Sequence, residues 1–161
     1  MFKKFHKDRR GQVFIEALIV IPLLFMIFCF VIEMGYLMYN WAVINYYVCS
    51  TAEAAAIKGQ FTSEVRAQLA AKVSDWTVNS QGYNYDAGGA DPPGAPDNNT
   101  VYIYGTDMNT PVQRGSYINV NISYPWHFKL FLIDSLMSYV VSEDSLRLKV
   151  NAAAQSEVFI E

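Results

Sequence analysis

The sequence predicts an α+β protein in which one long N-terminal transmembrane and stalk helix packs on a small antiparallel-sheet head. Three observations carry that expectation. Residues Val13–Ile32 form an apolar run of twenty residues with a single charge, Glu16. From Glu33 to Lys58 the chain holds no proline and only one glycine, Gly35. Beyond residue 100, short stretches alternate apolar and polar side chains with the period of a half-buried strand.

The chain has 161 residues, 52% hydrophobic and 17% charged, which is too apolar for disorder and suits one domain plus an anchor. Its charge is unevenly placed. Residues 1–11 carry five basic groups against Asp8, a net +4, while the remainder carries seven basic and fourteen acidic groups, a net −7. A basic tip before an acidic body excludes the broad basic face of a nucleic-acid binder. It matches a cytoplasmic N-terminus retained by the positive-inside rule, with the head extracytoplasmic.

As a helix, Val13–Ile32 spans about 30 Å, the thickness of the hydrocarbon core of a bilayer. A cleaved secretory signal would have a shorter apolar region, about 7–15 residues, and a small-x-small site after it. Here the run ends in Glu33-Met34-Gly35-Tyr36, which offers no such site. Pro22 removes the hydrogen bond to the Leu18 carbonyl and is expected to kink the helix. Membrane helices tolerate that because neighbours satisfy the freed group.

Glu16 is the most informative residue. A carboxyl inside an apolar run is costly and usually has a partner. It follows Gly11 by five positions, directly behind the basic tip. Gly11-Gln12-Val13-Phe14-Ile15-Glu16 therefore has the spacing of a type IV prepilin processing site: a glycine, four residues, a glutamate, then a long apolar helix. Glycine presents an unhindered backbone to a membrane peptidase. Cleavage between Gly11 and Gln12 creates an amine that a neighbouring subunit's Glu16 can meet as its counter-charge.

On these residues, together with Ala17–Leu24, Glu33-Met34-Gly35 and the alanine-rich Ser50–Ala56, the chain resembles the TadE-like pseudopilins, minor subunits of tight-adherence (Tad, type IVc) pili. The resemblance covers about the first 60 residues. Ala17 stands where such families commonly have an aromatic residue, and Gln12 as a new terminus can cyclise. The resemblance implies a type IV pilin-like fold and a cycle. A prepilin peptidase removes the leader, the subunit waits in the lipid bilayer, and an assembly platform with its ATPase inserts it among other pilin or pseudopilin subunits. The implied location is a single-pass membrane protein, or a subunit within a pilus.

The organisation expected is a basic leader at 1–11, a transmembrane helix at 12–33, a helical continuation at 34–60 and an α+β head at 61–161. In the continuation, Tyr36, Tyr39, Val43, Tyr46 and Tyr47 give a rough helical stripe, and Gly59 reads as a C-terminal cap. Ser50, Ala52 and Ala54–Ala56 allow close approach by the head sheet or another helix. Cys29 and Cys49 lie about 30 Å apart on one helix and cannot pair within a chain. A second helix is expected at Ser63–Trp76, capped by Thr62, with Val65, Leu69, Val73 and Trp76 on its apolar face.

Residues Asn79–Asn99, rich in Gly, Pro, Asn and Asp, read as a long exposed loop and the best candidate for partner contact. Asp86, Asp91 and Asp97 lack the alternation of a calcium loop, so no metal is expected there. Strands are expected at Val101–Tyr104, at Tyr117–Tyr124, and from Leu146 toward Phe159. Trp126–Val141 reads as a helix or an irregular packed segment, with Phe128, Phe131, Leu132, Leu136 and Tyr139 at helical spacing. Glu143-Asp144 reads as a turn.

No enzymatic chemistry and no cofactor are expected. The two histidines are His6, in the leader, and His127. No G-x-S-x-G elbow, P-loop or dinucleotide fingerprint is present. The leading expectation is a minor pilin or pseudopilin. An uncleaved, signal-anchored envelope binding module or adhesin is the alternative, and a tethered hydrolase built on His127 is the third.

Overall fold

The computed structural model describes residues 9–78, 82–130, 133–135 and 146–160. Residues 1–8 of the leader, Phe131, Leu132, Leu136 and Tyr139 of the helical reading, and the Glu143-Asp144 turn lie outside these.

Helix α1 runs Arg9–Lys58 as one 50-residue element, through Pro22, and is about 75 Å long. Gly59 ends it with φ +66°, the left-handed conformation that glycine adopts without strain. Its N–H bonds the Ala56 carbonyl at 3.2 Å, and the Gln60 N–H bonds that of Ala55 at 3.2 Å. Helix α2, Ser63–Trp76, begins where the Thr62 hydroxyl accepts the Val65 N–H at 3.3 Å. Glu64 lies in its first turn, favourable to the helix dipole. Val65, Leu69 and Val73 are buried along one face, each contributing about 2 kcal/mol, whereas Trp76 is 58% exposed.

Four strands form one sheet in the order β1-β2-β3-β4: Asn84–Asp86, Thr100–Gly105, Tyr117–Pro125 and Arg147–Gln155. β3 pairs antiparallel with β2 and, over nine positions, with β4. The difference from the expected antiparallel sheet is β1, which pairs parallel with β2 and makes the sheet mixed. It falls within the stretch read as loop. Pro125 is the last residue of β3, opposite Arg147 and one position beyond the expected strand. Of Trp126–Val141, residues 126–130 are irregular and 133–135 form a helical turn.

The sheet's inner face, with Ile103, Ile118, Val120, Ile122 and Val150, packs against α2 and one face of α1. On α1 that face runs through Ile44, Val48, Ala52 and Ala55, all essentially buried. Their spacing of four, four and three is a helical stripe, and the alanines let the sheet approach closely. The aromatic stripe identified in the sequence is a different face: Tyr36, Tyr39 and Tyr46 are exposed, and Val43 and Tyr47 are half-buried. Cys29 is buried, Cys49 exposed, and both are free.

Candidate assembly and membrane-exit site

Two regions of α1 carry polar groups, its N-terminal turns and the place where the apolar run ends. At the start, Gly11 is exposed, and a Cβ built on it meets nothing within 4 Å among the described residues. Gln12 is helical in backbone. Glu16 lies exposed on the same helix, about 7.5 Å further along the axis. Gly11 and Glu16 thus share one rigid helical segment, and Pro22 follows in the same helix. Val13, Phe14, Ile15, Leu18 and Ile19 are all more than 60% exposed. Among the described residues, one helix is long and apolar enough to cross a membrane. Its apolar window is almost wholly uncovered by the rest of the chain, unlike the core helix of a soluble protein.

Glu33, the first charge after the run, is fully buried. Its two carboxylate oxygens accept the backbone N–H groups of Lys129, at 3.0 Å, and Leu130, at 3.3 Å. A carboxylate presents only acceptors, so two converging N–H donors are the partners that offset its desolvation. Two turns on, Asn40 is also fully buried. Its side-chain oxygen accepts the Val78 N–H at 2.9 Å, and its amide nitrogen reaches the Val78 carbonyl at 3.4 Å. The Lys129 ammonium donates to that same carbonyl at 2.7 Å and stands over the Trp126 ring, 5.2 Å from its centroid. Burial pushes the Lys129 pKa below its ordinary value, and Glu33 draws it part of the way back.

A polar joint results. Asn40 pins the end of α2 to α1, and Glu33 pins the segment after β3. Thr77, the C-cap of α2, ties the two together: it donates to the Val73 carbonyl at 2.6 Å and accepts from the Tyr124 hydroxyl at 3.2 Å. The head is therefore held against the stalk down to the position where the apolar run ends. Sequence reasoning took Glu33 only as the end of that run. The available signal was the spacing of Glu33, Asn40, Ile44, Val48 and Ala52, one face of one helix.

Two guanidinium groups, Arg66 fully buried and Arg147 half-buried, order the long segment between α2 and β2. Arg66 donates to the carbonyls of Ala87 at 2.8 Å, Gly89 at 2.7 Å and Thr106 at 2.7 Å, with its guanidinium 4.2 Å from the Phe61 ring centroid. Arg147 donates to Asp97, at 2.9 Å, to Thr100, at 2.6 Å, and to both the carbonyl and hydroxyl of Ser123. Burial lowers the pKa of both groups, with Asp107 opposing the shift at Arg66 and Tyr102 opposing it at Arg147. His127 donates Nε2–H to the Asn98 carbonyl at 3.0 Å, since a carbonyl only accepts, and packs near Tyr83.

A bare apolar helix that doubles as the spine of an α+β head defines the class: a head on a stalk helix long and apolar enough to cross a membrane. Its anchor and stalk are TadE-like, for the family model described as TadE-like protein matches residues 11–56. The match begins at Gly11 and ends two residues before α1 does. It points to association with Tad pilus components and the membrane. No curated protein and no solved structure matches the chain.

Proposed function

We propose that this protein is a minor pilin or pseudopilin subunit that a prepilin peptidase processes between Gly11 and Gln12 and that contributes to Tad-type pilus assembly or adhesion. The observation that carries the reading is Glu16, an exposed carboxyl on an apolar helix face that the chain itself leaves uncovered. In a bilayer that carboxyl is costly without a counter-charge. The amine freed at Gln12 of an adjacent subunit supplies one. Gly11 supports the same reading, since among the described residues no neighbouring atom requires the absence of a side chain there. Its small size then serves an external agent, the peptidase.

In this reading the N-terminus is cytoplasmic and the head extracytoplasmic. The assembly platform and its ATPase act on the anchor, and the joint at Glu33 and Asn40 makes the head follow the helix as it is lifted from the bilayer. The protein performs no catalysis. His127, the one histidine outside the leader, is engaged by Asn98 and Tyr83 in a packing role.

The test is replacement of Glu16. In cells that build the filament, Glu16→Leu is expected to leave membrane insertion intact and to remove the subunit from sheared pili, while Glu16→Asp retains part of the incorporation. An uncleaved, signal-anchored binding module predicts full function from Glu16→Leu, and that result would reject the pilin reading.

A further inference from the structure

The outer face of the sheet carries a cleft that neither the anchor nor the joint uses. Strand alternation buries Ile103, Val120 and Ile122 and turns Tyr104, Asn119 and Asn121 to the other side. Tyr104 lies directly across from Asn121 in the β2–β3 register. The segment Ala90–Pro92 closes one side of a cleft of about 560 Å³, and Asp91 and Asp107 form its rim.

The walls are fixed by one buried side chain. Arg66 holds Gly89, next to the first wall, and Thr106, in the second, through the same guanidinium. Its planar fork sets the distance between them. Gly105 brings β2 so close to β3 that a Cβ there would run into the Asn119 carbonyl oxygen. The cleft is thus open and shaped before any ligand arrives, and binding incurs little ordering cost.

The floor is chemically selective. Among the described residues, the side-chain amides of Asn119 and Asn121 enter no hydrogen bond, and each offers an acceptor and two donors. They stand about 7 Å apart on one strand face. An amide pairs with two adjacent hydroxyls as donor to one and acceptor from the other, and the two rim carboxylates accept further hydroxyl protons. The Tyr104 ring gives the apolar surface on which the C–H face of a sugar ring rests. Among the described residues no basic side chain lines the cleft, so phosphates, sulfates and acidic sugars meet the repulsion of Asp91 and Asp107.

We propose that this cleft binds a neutral saccharide, with Asn119 and Asn121 reading its hydroxyls and Tyr104 stacking on its ring. The inference concerns the head alone and does not depend on leader processing or on filament assembly.

The test uses the full chain in phosphatidylcholine nanodiscs free of glycoside detergent, applied to a printed array of neutral and anionic glycans. Binding to neutral glycans is expected, with anionic ones excluded. Asn119→Ala, at an exposed strand position, keeps the native unfolding transition and weakens binding about tenfold, the loss of one hydroxyl-pairing amide. Tyr104→Ala abolishes binding and Tyr104→Phe retains it. Absence of binding to any array glycan overturns the proposal. So do preference for anionic glycans, binding that Asn119→Ala leaves unchanged in a folded protein, and a cleft that takes calcium and no glycan.

Discussion

Glu33 and Lys129 stand 96 positions apart in the chain, and the carboxylate of the first accepts the backbone N–H of the second at 3.0 Å. The contact joins the end of the apolar run to the segment that leaves the sheet at Pro125. With Leu130 donating to the other oxygen, it fixes both the rotation and the height of the helix relative to the head. A stalk that merely passed under the sheet would need no such polar pin, because Ile44, Val48 and Ala52 already supply apolar contact.

Glu33→Ala leaves two N–H groups in a buried site without acceptors, a local cost of about 2–4 kcal/mol. Hydrogen exchange on the full chain in nanodiscs checks it. The Lys129 and Leu130 amides exchange faster, while those in the β3–β4 ladder keep their protection. Glu33→Gln retains one oxygen acceptor and gives an intermediate effect.

Arg66→Met removes three hydrogen bonds to carbonyls that hold the segment after β1 against β2. The expected loss is about 3–5 kcal/mol, the scale for breaking a buried charged network. Arg66→Lys keeps the charge but not the fork, and recovers only part of it. Chemical denaturation, followed by tryptophan fluorescence, measures both.

Alkaline pH destabilises the head. Burial raises the pKa of Tyr83, Tyr85 and Tyr124 above the ordinary 10.0. The unfolded chain releases these phenolic protons before the folded one does, so their contribution is complete below about pH 10 and is lost as pH rises above it. Lys129, lowered by burial, acts in the opposite direction but is one group against three. Unfolding midpoints taken from pH 8 to 11 fall most steeply in the upper part of that range. Tyr124→Phe flattens the slope, because its phenol is the most strongly shifted.

Gly59→Ala combines a left-handed backbone with a Cβ only 2.7 Å from that of Val158. The backbone term alone is about 1–2 kcal/mol. Adding Val158→Gly removes that Cβ with its methyls and leaves the backbone term, so a double-mutant cycle on unfolding free energy returns a coupling that favours the pair.

The elements legible in the sequence were those with local signals. The Thr62 cap and the Val65, Leu69, Val73 spacing define α2 to the residue. Alternation of Ile118, Val120 and Ile122 with Asn119 and Asn121 defines β3. What escaped depends on distant partners. β1 has three residues among glycines and prolines, and it exists because Thr100–Tyr102 pairs with it while Arg66 holds the turn that follows. Of the buried face of the stalk, Ala52 and Ala55 fall in the small-residue stretch read as open to the head sheet, while the part through Glu33, Asn40, Ile44 and Val48 escaped because two of these are polar. The more apolar Tyr36, Tyr39 and Tyr46 stripe has the same period and points outward. Hydrophobic periodicity ranks faces by apolarity, and here the core selected the face that could be approached closely and hydrogen-bonded. For Gly11, Gln12, Glu16 and Pro22 the local pattern is the argument, since their proposed partners belong to the membrane and to other proteins.

The central claim is that Gly11 and Glu16 form a processing and assembly signal on a single-helix anchor. Its most direct measurement is the intact mass of the protein purified from its own membrane, compared with that from cells lacking prepilin peptidase. The account predicts a chain beginning at Gln12 in the first sample and at Met1 in the second. A chain beginning at Met1 in both, with the peptidase demonstrably active on other substrates, contradicts it.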